Sequence, residues 1–311
     1  MARARRTRAT VRQSARELNT HFGTLRPVIE VSGLIFAYPG AKKPAVNDLE
    51  FTVGDGEIFG FLGPNGAGKS TTQKVLTGLL RGYSGEVRVL ERELRNWGSD
   101  LYEQIGVGFE LPVHYGRLTA YENLRYFASL YQGETENPDQ LLEQVDLLEH
   151  RDVRVDRFSK GMRVRLSFAR SILCRPRLLF LDEPTTGLDP VSARRVKDLI
   201  LEHRARGVTV FLTTHDMATA DELCNRVAFL VDGGIALVDS PRELKVRYGE
   251  QRLRVEYRVD GTLEARDFPL DGLADNAAFL AALRQPSLET IHTQETSLER
   301  IFIRVTGQEL A

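Results

Sequence analysis

A glycine-rich segment limits what this chain can fold into more than any other part of its sequence. Residues 63–71 read GPNGAGKST, and they follow an apolar run at residues 57–62 and open a run of helical periodicity at residues 70–80. Glycines in such a turn let backbone amides approach phosphate oxygens, and the start of the following helix adds positive partial charge. The order strand, glycine turn and helix therefore predicts an α/β fold with a phosphate-binding loop.

The residues of this loop indicate how a nucleotide would be held. Lys69 is expected to reach the terminal phosphates, and the hydroxyl of Ser70 is expected to ligate Mg2+. A nucleotide with Mg2+ is therefore the predicted ligand. The predicted nucleotide contacts in the loop are Gly63, Pro64, Asn65, Gly66, Ala67, Gly68, Lys69, Ser70 and Thr71.

A second segment supplies acidic groups at the end of another predicted strand. Residues 178–184 read LLFLDEP, so that four apolar residues run into Asp182 and Glu183. In open α/β sheets, ligands bind at the carboxyl ends of the strands, where these two carboxylates are expected to emerge. Asp182 is predicted to face the magnesium ion, and Glu183 is predicted to orient and deprotonate the attacking water.

The pattern of residues 28–249 is typical of a mainly parallel sheet covered by helices. Short apolar runs alternate there with longer helical runs, and residues 119–174 form a helical insertion. Beyond residue 249, the pattern predicts one strand and two helical stretches, 276–283 and 297–306. The five predicted buried strands are residues 57–62, 105–109, 178–182, 208–213 and 227–231.

These patterns define a fold class and three parts of the chain. We predict an α/β, P-loop nucleotide-binding domain with a mainly parallel central sheet, an antiparallel β region and a helical subdomain. This domain is predicted to span residues 27–248, with its helical subdomain at about residues 111–175. A small α+β accessory module is predicted at residues 249–311, and a basic N-terminal extension at residues 1–26.

Charge and hydropathy exclude several other classes of protein. No apolar run approaches the roughly 20 residues that a membrane-spanning helix needs. Residues 1–26 hold seven Arg and one Glu although the net charge of the chain is −1, so residues 27–311 are acidic and argue against a nucleic-acid partner. The two cysteines, Cys174 and Cys224, fit a reducing cytoplasm. The basic extension is interpreted as a solvated tail, an amphipathic helix on an anionic membrane or a transit peptide.

Further motifs, in order along the main domain, resemble those of the ATP-binding subunits of ABC transporters. Tyr38 matches the aromatic residue that stacks on adenine in that family. Ser159 and Gly161, in FSKGM, match the family's signature sequence, which contacts ATP bound to the opposite subunit. Asp189, in GLDP, matches the loop between the two nucleotide sites, and His215 matches the switch histidine, which would donate to the γ-phosphate.

Two departures from the family pattern bear on the predicted chemistry. Glu110 stands where the family commonly has Gln, and as a predicted nucleotide and Mg2+ ligand it can bind the ion more strongly or slow hydrolysis by repulsion. In the signature, Lys160 and Met162 replace the more usual Gly and Gln, which affects the geometry of the opposite site. The SKGM string, Glu110 and the segment SLERIFIRVTG at residues 297–307 together resemble the ABC-2 export type.

The resemblance implies an enzyme together with its cofactors and partners. It implies ATP hydrolysis with ATP and Mg2+ as cofactors and with Glu183, Lys69 and His215 as catalytic residues. One loop and one signature per chain imply a dimer with a second copy or a homologous subunit, which ATP drives to closure. A separate transmembrane permease is expected to dock near residues 110–119 and to hold the chain at the cytoplasmic face of the cell membrane.

Two alternatives remain open from the sequence. One is a soluble ABC ATPase that works on ribosomes or DNA, although the paired domains or long coiled coils of such proteins are not seen in this sequence. The other is a weakly hydrolysing regulatory nucleotide-binding module, which Glu110 and Lys160 keep open. The transported substrate is not readable from these residues, and drug efflux rests on the resemblance alone.

Overall fold

The computed structural model describes residues 26–111, 113–249, 252–259, 262–294 and 296–308. Apart from Arg26, the predicted basic extension lies outside these residues. The described chain forms two compact units, of which the first ends at Asp239 and the second begins at Ser240. The second unit therefore starts before the domain boundary that the sequence predicts at residue 249.

The first unit is an α/β structure built on two sheets. An antiparallel sheet has the order β2-β1-β4-β5, and a six-stranded sheet has the order β10-β9-β3-β8-β7-β6. In chain order the strands are β1 (Pro27–Phe36), β2 (Val46–Gly54), β3 (Ile58–Leu62), β4 (Ser84–Val89), β5 (Arg92–Glu93), β6 (Ile105–Gly108), β7 (Leu178–Asp182), β8 (Thr209–Thr214), β9 (Arg226–Val231) and β10 (Gly234–Asp239).

The six-stranded sheet is parallel except for β10, which pairs antiparallel with β9. Every residue of its three central strands, β3, β7 and β8, is buried. Strands covered on both faces read as continuous apolar runs, which is why the sequence predicts them to within one residue at each end. The mainly parallel sheet and the antiparallel region are both confirmed.

An aromatic cluster joins the two sheets. Phe51 of β2 packs against Phe59 and Phe61 of β3 and against Phe211 of β8, with ring centroids 4.9–6.2 Å apart. Each of these rings is at most 6% exposed. Large buried rings contribute much of the stability of such a core, so this cluster fixes the central strands whose ends carry the predicted site.

The helices of the first unit lie between these strands. Three of them fall in the predicted helical subdomain, and one follows the glycine-rich loop. They are α1 (Lys69–Leu76), α2 (Ala120–Ala128), α3 (Pro138–Gln144), α4 (Lys160–Ser171), α5 (Pro190–Ala205) and α6 (Met217–Leu223).

The ends of two helices are set by single residues. Helix α1 ends at Leu76 rather than at residue 80, because Gly78 adopts a left-handed conformation with φ 74°. Helix α4 begins at Lys160, because Ser159 caps it by accepting a hydrogen bond from the Met162 amide at 3.2 Å. The signature therefore forms the first turn of α4.

The second unit is a small α+β module, as predicted. Its sheet has the order β12-β11-β13, and β11 pairs antiparallel with both neighbours. The sequence predicts β11 and the two later helices but not the other two strands, whose residues are mostly polar and exposed. The elements are α7 (Pro241–Tyr248), β11 (Arg252–Val259), β12 (Thr262–Pro269), α8 (Ala277–Leu283), β13 (Leu288–Gln294) and α9 (Leu298–Thr306).

Within the described residues, no helix is both long enough and apolar enough to cross a membrane.

Candidate functional site

The phosphate loop folds closely around the side chain of Lys69. The Lys69 ammonium donates to the carbonyl oxygen of Gly63 at 2.7 Å and to that of Pro64 at 3.2 Å, and the residue is 6% exposed. Gly68 directly precedes α1 with φ 105°, and a Cβ there would lie 2.6 Å from the carbonyl oxygen of Ala45. Only glycine fits this turn, so the loop is built for close backbone approach.

Three carboxylates act on this buried ammonium. Glu183 Oε1 lies 3.8 Å from Lys69 Nζ. Burial lowers the pKa of Lys69 below its ordinary value, against the opposing attraction of Glu183, Asp182 and Glu110 in that order. The predicted base Glu183, the predicted metal ligand Asp182 and the unusual Glu110 therefore all act electrostatically on the lysine of the phosphate loop.

Asp182 lies at the end of β7 beside the loop. Its Oδ1 accepts hydrogen bonds from Ser70 Oγ, at 3.2 Å, and from Thr213 Oγ1. A carboxylate and a hydroxyl oxygen are the hard ligands that Mg2+ prefers, so these residues fit the predicted ion. Thr213 is not among the predicted residues. Its contact depends on the register of adjacent parallel strands, in which it pairs with Asp182.

Glu183 is the most constrained side chain of the site. Its backbone is left-handed, with φ 49°, and its amide donates to the carbonyl oxygen of Thr213 at 2.9 Å. His215 Nδ1 lies 2.8 Å from Oε1. The hydroxyls of Thr186 and Thr214 donate to Oε2 at 2.9 and 3.0 Å. Uncommon backbone conformations of this kind cluster at functional sites.

Tyr38 reaches the far end of the phosphate loop. Its hydroxyl is 3.3 Å from Thr71 Oγ1, and its ring packs edge-on against Phe36 with centroids 5.1 Å apart. The residue is 40% exposed. An exposed aromatic face beside the loop is what the predicted contact with adenine requires.

The signature residues form a separate cluster. A Cβ on Gly161 would lie 2.5 Å from Ser192 Oγ, and Asp189 caps α5 by accepting from the Ser192 amide at 2.9 Å. The Lys160 ammonium lies against Gly187. Among the described residues, no hydrogen bond or ion pair joins this cluster to the phosphate loop.

Glu110 lies in an exposed bend after β6, and Val113 and His114 are hydrogen-bonded to α4. His114 Nε2 is 2.9 Å from the carbonyl oxygen of Arg163, and Arg170 Nη1 donates to the carbonyl oxygen of Val113 at 2.5 Å. Burial lowers the pKa of His114 to about 4, against its hydrogen bond to Arg163 and with a further contribution from the Arg170 and Arg163 charges. His114 is therefore neutral near pH 7.

Two family models match this chain. The ABC transporter model matches residues 46–186, which contain the phosphate loop, the signature and both acidic residues at the end of β7. A model described as the fluoroquinolone efflux ABC transporter C-terminal domain matches residues 251–295 in the second unit.

Curated relatives cover nearly the whole chain. The fluoroquinolones export ATP-binding protein of Mycobacterium tuberculosis strain H37Rv is 60% identical over 284 residues, which are 91% of this chain and 94% of that protein. The linearmycin resistance ATP-binding protein LnrL of Bacillus subtilis is 30% identical over 298 residues, 86% of this chain and 96% of that protein.

Solved structures share the fold. An ATP-binding subunit of an ABC transporter is 29% identical with a TM-score of 0.64, and the match covers 73% of this chain and 94% of that chain. An ATP-binding cassette solved as a dimer in a post-hydrolysis state with ADP and Pi is 23% identical with a TM-score of 0.62, covering 68% of this chain and 98% of that one.

The fold, the phosphate loop and the acidic end of β7 define a P-loop ATPase of the ATP-binding-cassette class. With the relatives above, this chain belongs to the ABC transporter family. It is an ATP-hydrolysing, ATP-binding subunit of the export type, and the two alternatives that the sequence left open are not favoured.

Proposed function

We propose that this chain energises export of fluoroquinolone-class compounds through a separate membrane-spanning partner. The observation that carries this proposal is the 60% identity, over 91% of this chain, to a protein named for fluoroquinolones export. The match of the second unit to a fluoroquinolone efflux C-terminal domain supports it independently of the ATPase motifs. Selectivity for the compound would reside in the membrane partner, since fold alone does not specify a substrate.

The residues of the phosphate loop and β7 would bind ATP and prepare it for hydrolysis. Lys69 would hold the terminal phosphates together with the amides of residues 63–71, and Tyr38 would contact adenine. Ser70 and Asp182 would hold Mg2+, with Glu110 nearby, and the ion would offset the negative charge of the phosphates.

Glu183 and His215 would act on the attacking water and the γ-phosphate. Glu183 would orient the water and accept its proton. Because Nδ1 of His215 faces the Glu183 carboxylate, which only accepts, Nδ1 would carry a proton in this arrangement. Nε2 is the nitrogen left for a γ-phosphate oxygen, and it would donate there when it also carries a proton. These roles rest on the contacts around Glu183 in the isolated chain.

Two copies would complete each nucleotide site. Ser159 and Gly161 open α4, whose first-turn amides provide a second anion site, and Asp189 adjoins them. A head-to-tail dimer would bring this surface onto ATP held by the other chain. ATP would favour closure, and hydrolysis would remove the contacts that keep the dimer closed.

The membrane partner would dock on the segment after β6. Leu111 and Val113 are 76% and 72% exposed. Tyr115, two residues further along the chain, is also exposed and packs against Tyr126 with ring centroids 4.9 Å apart. Exposed apolar side chains grouped in this way are typical of a protein interface. Docking there would place the chain at the cytoplasmic face of the membrane.

Glu183→Gln tests the catalytic part of the proposal. The variant is expected to bind ATP as the wild type does and to hydrolyse it at least about a hundredfold more slowly, because amide nitrogen and oxygen cannot accept the water proton. Glu222→Gln, an exposed glutamate paired with Lys197 and Arg194, is the control. Equal hydrolysis by wild type and Glu183→Gln would reject this role.

Drug accumulation tests the transport part. Cells that lack this gene are expected to retain more fluoroquinolone, and the wild-type gene but not Glu183→Gln should restore efflux. Leu111→Ser should weaken co-purification with the membrane partner, whereas Leu130→Ser, at a leucine that is 61% exposed outside the segment, should not. Unchanged drug accumulation after gene deletion would contradict the proposed substrate class.

A further inference from the structure

We infer that Thr186 is a positioning residue for ATP hydrolysis, holding one oxygen of Glu183 so that the other faces the phosphate side. The inference rests on the proposed role of Glu183 as the base. It assigns a function to a residue that lies between the LLFLDEP and GLDP segments and belongs to neither.

The two carboxylate oxygens of Glu183 have different surroundings. Oε2 accepts from two hydroxyls, Thr186 Oγ1 at 2.9 Å and Thr214 Oγ1 at 3.0 Å. Oε1 faces His215 Nδ1 at 2.8 Å and Lys69 Nζ at 3.8 Å. Because Lys69 belongs to the phosphate loop, Oε1 is the oxygen directed toward the phosphates.

The direction of both hydroxyl donors is determined. Thr214 Oγ1 also accepts a hydrogen bond from the Asp216 amide at 3.0 Å, which leaves its single proton for Glu183 Oε2. The partner of Thr186 Oγ1 is a carboxylate, which accepts and cannot donate when ionised. Both hydroxyls therefore donate to the same oxygen.

The backbone conformation explains why Thr186 supplies one of the two hydrogen bonds to Glu183 Oε2. Glu183 has the left-handed φ of 49°, and the Thr186 amide donates to the Glu183 carbonyl at 3.2 Å, so the chain turns back at once after β7. This turn brings residue 186 over the side chain of residue 183. Thr214 holds Oε2 from the neighbouring strand, so the two hydroxyls fix the carboxylate between a strand end and a turn.

Hydrogen bonds to one carboxylate oxygen restrict the rotamers of the side chain. The other oxygen is then held in the position from which it accepts the proton. A positioning residue lowers the entropy cost of bringing the base into its reactive geometry. Small displacements of the base strongly reduce the rate. Loss of the Thr186 hydroxyl should therefore reduce turnover without reducing ATP affinity, since among the described residues Thr186 makes no hydrogen bond to the phosphate loop.

The test is the steady-state ATPase of the full-length protein with Thr186→Val, which removes the hydroxyl and keeps the shape. We expect kcat to fall about tenfold, with KM and the Kd for ATP unchanged within about twofold. Thr186→Ser restores the donor and should return kcat to within about twofold of wild type. Thr186→Ala serves as a second variant if the valine destabilises the turn, as judged from the melting temperature.

Thr185→Val is the matched control. Thr185 is the adjacent residue and is 8% exposed, but among the described residues it makes no hydrogen bond to Glu183. We expect its kcat to remain within about twofold of wild type. In the Glu183→Gln background, Thr186→Val should add less than about twofold, because Thr186 acts only through the Glu183 carboxylate.

Three results would overturn the inference. They are a normal kcat for Thr186→Val and Thr186→Ala, a loss that Thr186→Ser does not reverse, or a loss carried by KM. If these occur while Glu183→Gln is inactive, the positioning role of Thr186 alone is wrong. If Glu183→Gln hydrolyses ATP at the wild-type rate, both the proposed base and the inference drawn from it are wrong.

Discussion

The carboxyl edge of the central sheet and the start of α4 carry the two halves of the proposed nucleotide site, and the chain holds them differently. At the sheet edge, Lys69, Asp182 and Glu183 are each at most 9% exposed, and hydrogen bonds link them across four segments of the chain. Ser159, which caps α4, and Asp189, which caps α5, are exposed, and each accepts a hydrogen bond from a backbone amide of the helix that it caps. A nucleotide site shared between two copies requires this arrangement, because one half of the site is complete within its own chain and the other half faces outward toward the second chain.

Ser159→Arg tests this contrast with the largest expected effect. The variant should bind ATP at the sheet edge with wild-type affinity but hydrolyse it about a hundredfold more slowly, because a bulky side chain blocks the anion site at the start of α4. Filter binding measures ATP affinity and so reports on the sheet edge. Phosphate release measures turnover, which also depends on the start of α4. Ser129→Arg, at another exposed serine near a helix end, should be active. A parallel loss of affinity and turnover in Ser159→Arg would contradict the division into two halves.

His114 provides a second test, because it ties the segment of Glu110 to α4. Its folded pKa of about 4 lies below the ordinary value of 6.5, so the unfolded chain binds the proton more readily in this interval. The free energy of unfolding should therefore fall as the pH drops from 6.5 to 4, by about 3 kcal/mol from this residue, and be unaffected above that interval.

Urea unfolding at several pH values measures this effect. His114→Gln keeps a donor for the Arg163 carbonyl and should show a flatter profile between pH 6.5 and 4. Burial also lowers the pKa of His203, whose contribution has the same sign and is present in both proteins. Identical pH profiles for the two proteins would show that His114 is not held neutral by burial.

Glu110→Gln is the smallest expected change. The substitution removes one of three carboxylates that act on Lys69, so we expect a shift of a few-fold in the Mg2+ concentration that gives half-maximal ATPase activity. Asp152→Asn, at an exposed carboxylate of the helical region, is a suitable control. An unchanged Mg2+ titration together with an unchanged rate would remove Glu110 from the nucleotide site.

Much of the first unit was predictable because its signals are local. Strand β3 is apolar throughout, β7 and β8 are apolar except at their ends, and the glycine-rich loop has the spacing that a phosphate-binding turn requires. The prediction of the fold class and of the family is confirmed. The extra strands of the second unit were missed, because β12 and β13 have neither a clean alternation nor a continuous apolar run.

The threonines around the two acidic residues were missed for a different reason. Thr213 and Thr214 reach Asp182 and Glu183 only because β7 and β8 are neighbours in register, although 31 positions separate the paired residues. Thr186 is close in sequence, but its contact depends on the left-handed backbone of Glu183. The pattern of a single sequence predicts neither the order of strands in a sheet nor a left-handed φ angle at a non-glycine residue. The individual roles of the predicted site residues stay predictions.

The central claim is that each nucleotide site combines the sheet edge of one chain with the α4 start of another. Mixing Lys69→Ala with Ser159→Arg tests it most directly, since each variant alone should be nearly inactive. A mixed dimer would contain one site with both halves intact, so random exchange predicts recovery of about a quarter of the wild-type ATPase rate. If mixed dimers are shown to form and ATPase activity does not recover, the claim is contradicted.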